Sequence, residues 1–174
     1  MTISVAWVAP AVALQRLGEL WWCRRNRRRL LARGGREIRH DTYPAMAALH
    51  VLFLASLAVE SYPWQVPADT RTWGCLAALA AVTAFRYWAI ASLGEYWTTR
   101  VVVVPGTTLV RSGPYRFLRH PNYLAIVLEF LLIPFLMRAP GTLVLFTLAN
   151  FIALRQRIRI EEEAIRNATD SAKP

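Results

Sequence analysis

Five apolar stretches alternate with clusters of arginine along this chain, and this alternation limits the folds that it can adopt. An α-helix needs roughly 20 apolar residues to cross the hydrocarbon core of a bilayer. The first three stretches reach or approach that length, whereas the last two are shorter and are separated by the turn at residues 138–141. The last two therefore form a hairpin that either crosses fully or re-enters. The pattern predicts an all-α integral membrane protein of about five transmembrane helices, over residues 3–22, 43–60, 73–93, 123–137 and 141–154.

Composition supports a membrane location and argues against nucleic acid as a partner. The chain is 55% hydrophobic, yet it carries a formal charge of +10. That pairing is unusual for a soluble globule, so the charge must be segregated from the apolar stretches. No soluble basic module fits between these stretches, and the charge suits a membrane surface. The cysteines Cys23 and Cys75 match neither a metal spacing nor a disulfide framework, so we expect no metal.

The distribution of basic residues predicts the orientation in the membrane. Residues 23–40 hold eight arginines, residues 94–122 hold four, and the tail after residue 154 holds four more and Lys173. The opposite side has only Arg71 and Arg138. Basic loops favour the cytoplasmic side. We therefore predict a multi-pass protein of the cell inner (plasma) membrane, with its N-terminus outside and its C-terminus in the cytoplasm.

Two shorter elements are predicted on the cytoplasmic side. Residues 101–104 are four valines followed by Pro-Gly, and residues 107–110 are suited to a return strand, which together predict a small surface hairpin. In the tail, Arg157 and Glu161 are four residues apart and share one face of a C-terminal helix. A solvated salt bridge is the ordinary interpretation of such a pair.

Ionisable residues inside the predicted spans gather in one layer. Arg16, His50, Arg86 and Glu129 each lie ~9 to 10 Å from the cytoplasmic end of their helix, at about 1.5 Å per residue. Because charges within a bilayer are costly, they indicate a polar pocket that opens inward. Structural ion pairing among Arg16, Glu19, Arg86 and Glu129 is the alternative, and the sequence leaves both open.

A polar and aromatic motif occupies residues 112–123, just before the fourth stretch. It combines arginine and tyrosine with His120, and Pro121 suits the first turn of a helix. Free amides at such a helix start favour an anion, such as a carboxylate or a phosphate. Anchoring of tyrosine and arginine at the lipid interface is the alternative.

Two motifs resemble the isoprenylcysteine carboxyl methyltransferase family of membrane methyltransferases over residues 101–165. They are Gly-x-Tyr-x-x-x-Arg-His-Pro-x-Tyr, from Gly113 to Tyr123, and Arg-x-x-x-Glu-Glu, from Arg157 to Glu162. The length of 174 residues predicts a single domain. The resemblance divides it into a three-helix part (1–93) and a cofactor-binding part (94–174). It also implies S-adenosyl-L-methionine at the cytoplasmic face, on Thr107, Thr108, Leu109, Val110, Tyr115, His120, Pro121, Asn122, Tyr123 and Glu161.

The acceptor implied by the resemblance is a lipophilic small molecule. Asn122 stands where the prenylcysteine enzymes usually have serine. Together with the arginine-rich first half and residues 15–20, it resembles a bacterial branch associated with type III polyketide synthases. That branch O-methylates alkylpyrones and related polyketide lipids, which implies a functional link to such a synthase. Carboxyl methylation of an isoprenylcysteine and N-methylation of a lipid amine are the alternatives.

Methyl transfer requires an acceptor oxygen in line with the sulfonium methyl group, so the protein mainly orients two partners. Arg157 matches a substrate-contacting arginine, and we predict that Arg157, Arg86 and Arg16 bind the acceptor. The predicted catalytic residues are Arg157, Glu129 and His50. Glu129 or His50 would take the proton if the acceptor is a weaker acid. An NADPH-dependent membrane reductase is a rival class, although no glycine-rich dinucleotide motif follows a strand. A non-enzymatic membrane scaffold is another.

Overall fold

The protein is described by a computed structural model for residues 1–38, 42–105, 107 and 110–170, excepting the side chains of residues 168–170. This part of the chain holds five α-helices and four short strands, which confirms the predicted all-α class. The helices are α1 Val8–Ala32, α2 Tyr43–Glu60, α3 Thr70–Leu93, α4 Pro121–Leu136 and α5 Pro140–Asp170. The strands are β1 Thr2–Ser4, β2 Arg36–Glu37, β3 Gln65–Pro67 and β4 Val102–Val103.

Among the described residues, two helices are long and apolar enough to cross a membrane, over Tyr43–Glu60 and Thr70–Tyr96. Helix α4 is similarly apolar but shorter. The crossing of α1, α4 and α5 stays a prediction.

Helix α1 differs from its predicted bounds at both ends. It begins at Val8 rather than at residue 3, because Thr2–Ser4 forms β1 and pairs antiparallel with β3, with Ile3 opposite Val66. It continues through the arginine cluster to Ala32, ten residues beyond the predicted end at residue 22. Arginine is a good helix former, and no glycine or proline interrupts residues 19–33. The chain turns at Gly34, which has a φ of +82°.

Helix α5 is also longer than predicted. The fifth apolar stretch and the C-terminal helix form one continuous helix of 31 residues. Its first turn is capped by Glu60 of α2, which accepts hydrogen bonds from the amides of Gly141 (2.7 Å) and Thr142 (2.6 Å). At about 1.5 Å per residue the helix is ~46 Å long, well beyond the thickness of a hydrocarbon core. Its second half thus carries Arg157 and Glu161 past the apolar segment.

The predicted surface hairpin is not confirmed, and its first strand has another partner. Val102–Val103 does form a strand, but it pairs antiparallel with Arg36–Glu37. Thr107 and Val110, the described ends of the predicted return strand, lie outside any strand, and Thr108 and Leu109 lie outside the described residues. Ion pairs explain the choice of partner, because Glu37 binds Arg27 of α1 and lies 3.6 Å from Arg100 beside β4.

An aromatic cluster fixes the helices that carry the site. The ring of Phe53 on α2 stacks on Phe130 of α4, with centroids 4.3 Å apart. The same ring meets Phe146 of α5 edge-on at 5.7 Å. All three side chains are buried. This packing holds α4 beside α5, so that the start of α4 faces the second half of α5.

Candidate active site

A cavity of about 1130 Å³ lies between residues 93–119, the start of α4 and the second half of α5. Both sequence motifs contribute residues to its lining. Tyr115, His120, Asn122 and Tyr123 belong to the first motif, and Arg157, Glu161 and Glu162 belong to the second. Small-molecule sites commonly measure about 300 to 1000 Å³. The cavity thus has room for a nucleoside-sized ligand and a second group beside it.

A close approach to α3 positions the first motif. Gly113 has a φ of +56°, a conformation that favours glycine. A Cβ atom at this position would lie 2.0 Å from Ser92 Oγ and 3.2 Å from Trp88 Nε1. Only glycine lets this segment lie so near α3, which places Tyr115 on the wall of the cavity.

Tyr123, which lines the cavity, joins α4 to α5. Its hydroxyl donates a short hydrogen bond to Glu161 and accepts one from Arg157 Nε at 3.3 Å. Arg157 also donates from Nη2 to the carbonyl oxygen of Thr99 at 2.9 Å. The guanidinium is therefore fixed from two sides, and Arg157 is only 6% exposed. The i to i+4 pair predicted on a solvated helix face is in fact part of a network across three segments.

His120 forms a second link between the motifs. Its Nε2 atom lies 3.1 Å from Glu162 Oε1, and its ring stacks on Tyr123 with centroids 5.5 Å apart. Glu162 was not among the predicted site residues. Its place beside Glu161 in the second motif was the available signal.

The remaining predicted cofactor residues have mixed placements. Thr107 and Val110 line the cavity, and the Thr107 hydroxyl donates to the Val104 carbonyl at 2.7 Å. Pro121 is buried as the first residue of α4 and lies outside the lining. Thr108 and Leu109 fall outside the described residues.

The start of α4 offers fewer free amides than the sequence predicted. Pro121 has no amide proton, and the amides of Tyr123 and Leu124 both donate to the His120 carbonyl, at 3.1 and 3.2 Å. An anion at the cavity would thus rely on side chains more than on this helix terminus.

Arginines outnumber carboxylates along the cavity wall. Glu161 and Glu162 are its acidic residues, against Arg100, Arg111, Arg116, Arg119, Arg157 and Arg166. Burial raises the pKa of the Tyr115 hydroxyl above its usual range, and the negative charge of Glu161 adds to the rise. Tyr115 therefore stays neutral at physiological pH. The wall suits a ligand with both a cationic and an anionic part.

A buried oxygen also points to a ligand. Asn122 lines the cavity, and its buried Oδ1 atom has no hydrogen-bond partner among the residues that the structure describes. Buried carbonyl oxygens are rarely left unpaired, because desolvation then costs free energy with no compensation. A ligand that donates a hydrogen bond there would satisfy it. Tyr115, His120 and Tyr123 add aromatic surface for a planar ring.

The residues predicted in a buried polar layer form an ion network of their own. Glu19 accepts two hydrogen bonds from Arg86, at 3.0 and 2.8 Å, and one from Arg16 at 2.6 Å. Glu129 accepts from Arg16 and lies 3.6 Å from Arg86 Nη1. Two positive and two negative charges thus join α1, α3 and α4, and none of the four residues lines the cavity as described.

His50 also lies apart from the motif residues. Its Nδ1 atom is 2.8 Å from the carbonyl of Met46, one helical turn earlier on α2. Its ring meets Phe130 edge-on, with centroids 5.1 Å apart. The structure thus brings seven of the ten predicted cofactor residues onto one cavity lining with Arg157, namely Thr107, Val110, Tyr115, His120, Asn122, Tyr123 and Glu161. It leaves His50, Arg16, Arg86 and Glu129 outside that lining.

Sequence comparison relates the chain to known proteins. The Isoprenylcysteine carboxyl methyltransferase (ICMT) family matches residues 75–167, which include both motifs. The chain is 38% identical over 160 residues to the uncharacterized protein YpbQ of Bacillus subtilis (strain 168), covering 91% of this chain and 95% of that one. It is 25% identical over 142 residues to an uncharacterized protein of Haemophilus influenzae (strain ATCC 51907 / DSM 11121 / KW20 / Rd), covering 81% and 83%. No solved structure matches it.

The fold and the cavity define a helical membrane protein with a polar cavity where two motif segments meet. The chain belongs to the isoprenylcysteine carboxyl methyltransferase family, because the family match covers more than half of it. It is a membrane methyltransferase. The family predicted from the motifs is confirmed, whereas the polyketide-lipid branch stays a prediction.

Proposed function

We propose that this protein transfers a methyl group from S-adenosyl-L-methionine to an oxygen atom of a small lipophilic acceptor, at the cytoplasmic face of the inner membrane. The observation that carries the proposal is the cavity of about 1130 Å³ with both motifs on its wall. Family membership supplies the reaction class. The donor, the acceptor and the membrane orientation belong to the proposal.

The described wall fits the donor. S-adenosyl-L-methionine has a cationic sulfonium and ammonium, an anionic carboxylate and a planar adenine. The carboxylates of Glu161 and Glu162 suit the positive charges, and the cavity arginines suit the carboxylate. Asn122 Oδ1 suits a donating amine, and the rings of Tyr115 and Tyr123 suit adenine. When bound, this cofactor supplies the electrophilic methyl group.

Arg157 is the residue best placed to orient the acceptor. It lines the cavity, it is nearly buried, and Tyr123 and Thr99 hold its guanidinium in place. A fixed cation beside a developing or full negative charge on oxygen favours the nucleophilic form of the acceptor. An acidic acceptor would arrive already deprotonated. In that case the protein needs no general base, and orientation is its main contribution.

The acceptor is proposed to be an alkylpyrone or a related polyketide lipid, made by a type III polyketide synthase. Its acidic enol would meet Arg157, and its alkyl tail would lie along the apolar wall of Leu93, Val101 and Leu118. The choice of this lipid class depends on Asn122 and the resemblance described above. Roles for Glu129, His50, Arg86 and Arg16 at the reacting atoms stay predictions, since these residues lie outside the cavity lining.

The proposal includes five membrane crossings, with α1, α4 and α5 beside α2 and α3. The N-terminus then lies outside and the cavity opens to the cytoplasm, where the donor is made. This orientation follows the arginine distribution. The two partners would arrive from different phases, the donor from water and the acceptor from the bilayer.

The cofactor is tested by thermal unfolding of the detergent-solubilised protein. S-adenosylhomocysteine should raise the melting temperature, because a ligand that binds only the folded state stabilises it. NADPH should leave it unchanged. Stabilisation by NADPH alone would favour the reductase class, and stabilisation by neither would favour a scaffold.

The acceptor is tested by mass spectrometry of membrane lipids from cells with and without the gene. We expect a set of polyketide lipids to gain the mass of one methylene group when the protein is present. The matched strain should carry the Arg157→Gln variant. Methylated phosphatidylethanolamine would instead indicate a lipid-amine acceptor, and a methylated prenylcysteine would indicate the carboxyl methylation named by the family.

A further inference from the structure

Helix α1 has a continuous exposed face that is apolar at one end and basic at the other. Trp7, Leu14, Leu17 and Trp21 are all more than half exposed. At about 100° per residue, these four side chains fall within a sector of about 80°. A large apolar surface of this kind is expected to face lipid in a membrane protein.

Arginines continue the same face beyond Trp21. Trp7, Leu14, Leu17 and Trp21 are called the apolar stripe. Four exposed arginines lie on either side of its direction, at about 100° per residue: Arg24, Arg25, Arg28 and Arg29. The opposite face is buried at Cys23, Asn26 and Leu30. Asn26 fixes this rotation, because its side-chain amide donates to the carbonyls of Gly94 (3.0 Å) and Trp97 (2.9 Å).

The exposed arginines beside the apolar stripe differ from neighbouring arginines in their ion pairs. Arg27 and Arg33 point away from the stripe, and they bind Glu37 and Glu95 respectively. The four arginines on the lipid side show no acidic partner in the part of the chain that the structure describes. The general preference for cytoplasmic arginine explains their number. That preference does not explain why the arginines aligned with the apolar stripe are the ones without an acidic partner among the described residues.

Their depth matches the headgroup layer. Arg24 lies ~4.5 Å and Arg29 ~12 Å beyond Trp21 along the helix axis. Tryptophan prefers the boundary between hydrocarbon and headgroups. On α5, Arg155 similarly follows the exposed residues Leu148 and Phe151, with its guanidinium 5.4 Å from the Phe151 ring.

We propose that Arg24, Arg25, Arg28 and Arg29 form a binding site for the phosphate headgroups of anionic phospholipids. The proposal rests on the membrane crossing of α1, and it is independent of the donor and the acceptor. A guanidinium binds phosphate through paired hydrogen bonds, and four on one helix face favour lipids with a net negative charge. The apolar stripe selects a lipid over a nucleic acid or an acidic protein, because it places the acyl chains directly beside these arginines.

The test measures melting temperature in uncharged detergent after addition of phosphatidylglycerol or phosphatidylcholine. We expect phosphatidylglycerol to stabilise the wild type more. R24Q/R28Q should lose most of this excess, since each arginine near an anionic surface is worth about a fivefold change in affinity. R33Q/R36Q removes the same charge just past the helix, off the stripe, and should retain it.

Several outcomes would overturn the proposal. Equal stabilisation by the two lipids would remove headgroup selectivity, and equal losses in R24Q/R28Q and R33Q/R36Q would indicate bulk charge alone. An equal effect of inorganic phosphate would indicate a free-anion site, and tighter binding of DNA than of phosphatidylglycerol vesicles would indicate a nucleic-acid surface. The variant R24K/R28K is the control for a folding defect. It keeps the charge, so it should melt like the wild type in phosphatidylcholine and show an intermediate response to phosphatidylglycerol.

Discussion

The protein contains two polar clusters that differ in kind. The buried cluster of Arg16, Glu19, Arg86 and Glu129 pairs its charges with one another and joins three helices. The cavity cluster of His120, Tyr123, Arg157, Glu161 and Glu162 also joins helices, but it lines a space large enough for ligands. Both clusters have ionisable residues at low exposure. Burial of charge therefore does not by itself distinguish a candidate site from a structural ion network, whereas contact with a cavity does distinguish these two clusters.

The largest expected effect comes from breaking the buried cluster. Arg86→Leu leaves Glu19 and Glu129 to share Arg16, so the variant should lose about 3 to 5 kcal/mol of stability. Thermal unfolding in detergent measures the loss. The double variant Arg86→Leu/Glu19→Leu restores neutrality and should recover most of it. A stable Arg86→Leu protein that no longer methylates would instead support the predicted role of Arg86 in acceptor binding.

Arg157→Gln tests the cavity cluster through activity. The change removes a cation fixed beside Tyr123, and we expect methyl transfer to fall about 100- to 1000-fold, as for other fixed groups that stabilise charge on oxygen. Stabilisation by S-adenosylhomocysteine should persist. Arg159→Gln is the matched control, because Arg159 is exposed two residues further along α5. If Arg157→Gln no longer binds S-adenosylhomocysteine, Arg157 contacts the methyl donor rather than the acceptor.

Glu161→Gln separates the donor part of the cavity from the rest. A carboxylate that holds a cation through hydrogen bonds is worth about 1.5 to 3 kcal/mol, so affinity for S-adenosylhomocysteine should fall about 10- to 150-fold. Isothermal titration measures it. Glu163→Gln removes the same charge from an exposed neighbour and should bind normally. Equal affinities of the two variants would contradict the placement of the donor.

Gly113→Ala gives the smallest effect and tests how the cavity wall is built. The added methyl group would meet Ser92 Oγ at 2.0 Å, so the segment must shift, at a cost of about 1 to 3 kcal/mol. Binding of S-adenosylhomocysteine should weaken with it, because Tyr115 lies two residues away. Gly74→Ala in α3 meets nothing within 4 Å and should be neutral or slightly stabilising. A normal Gly113→Ala protein would show that this close approach is dispensable.

Local sequence rules predicted the helices well but their ends poorly. Apolar runs located α2 and α3 closely, because each is one continuous apolar segment long enough to span a hydrocarbon core. The ends of α1 and α5 were wrong, since arginine and glutamate look like loop residues in a hydropathy pattern and are good helix formers. The pairing of Val102–Val103 with Arg36–Glu37 depends on ion pairs between distant segments, which no local pattern reports.

The sequence by itself determined the membrane class, the family and the two motifs, because apolar length and motif spacing are properties of short segments. Only the tertiary structure decided which polar residues face a common space. Distance from the cytoplasmic helix end placed Arg86, Glu129 and His50 in one predicted layer. In the structure, Arg86 and Glu129 form an ion pair instead of lining the cavity, and Arg157 lines it. Contact between residues far apart in the chain depends on how helices pack and rotate, and the helical repeat of a single segment does not specify that.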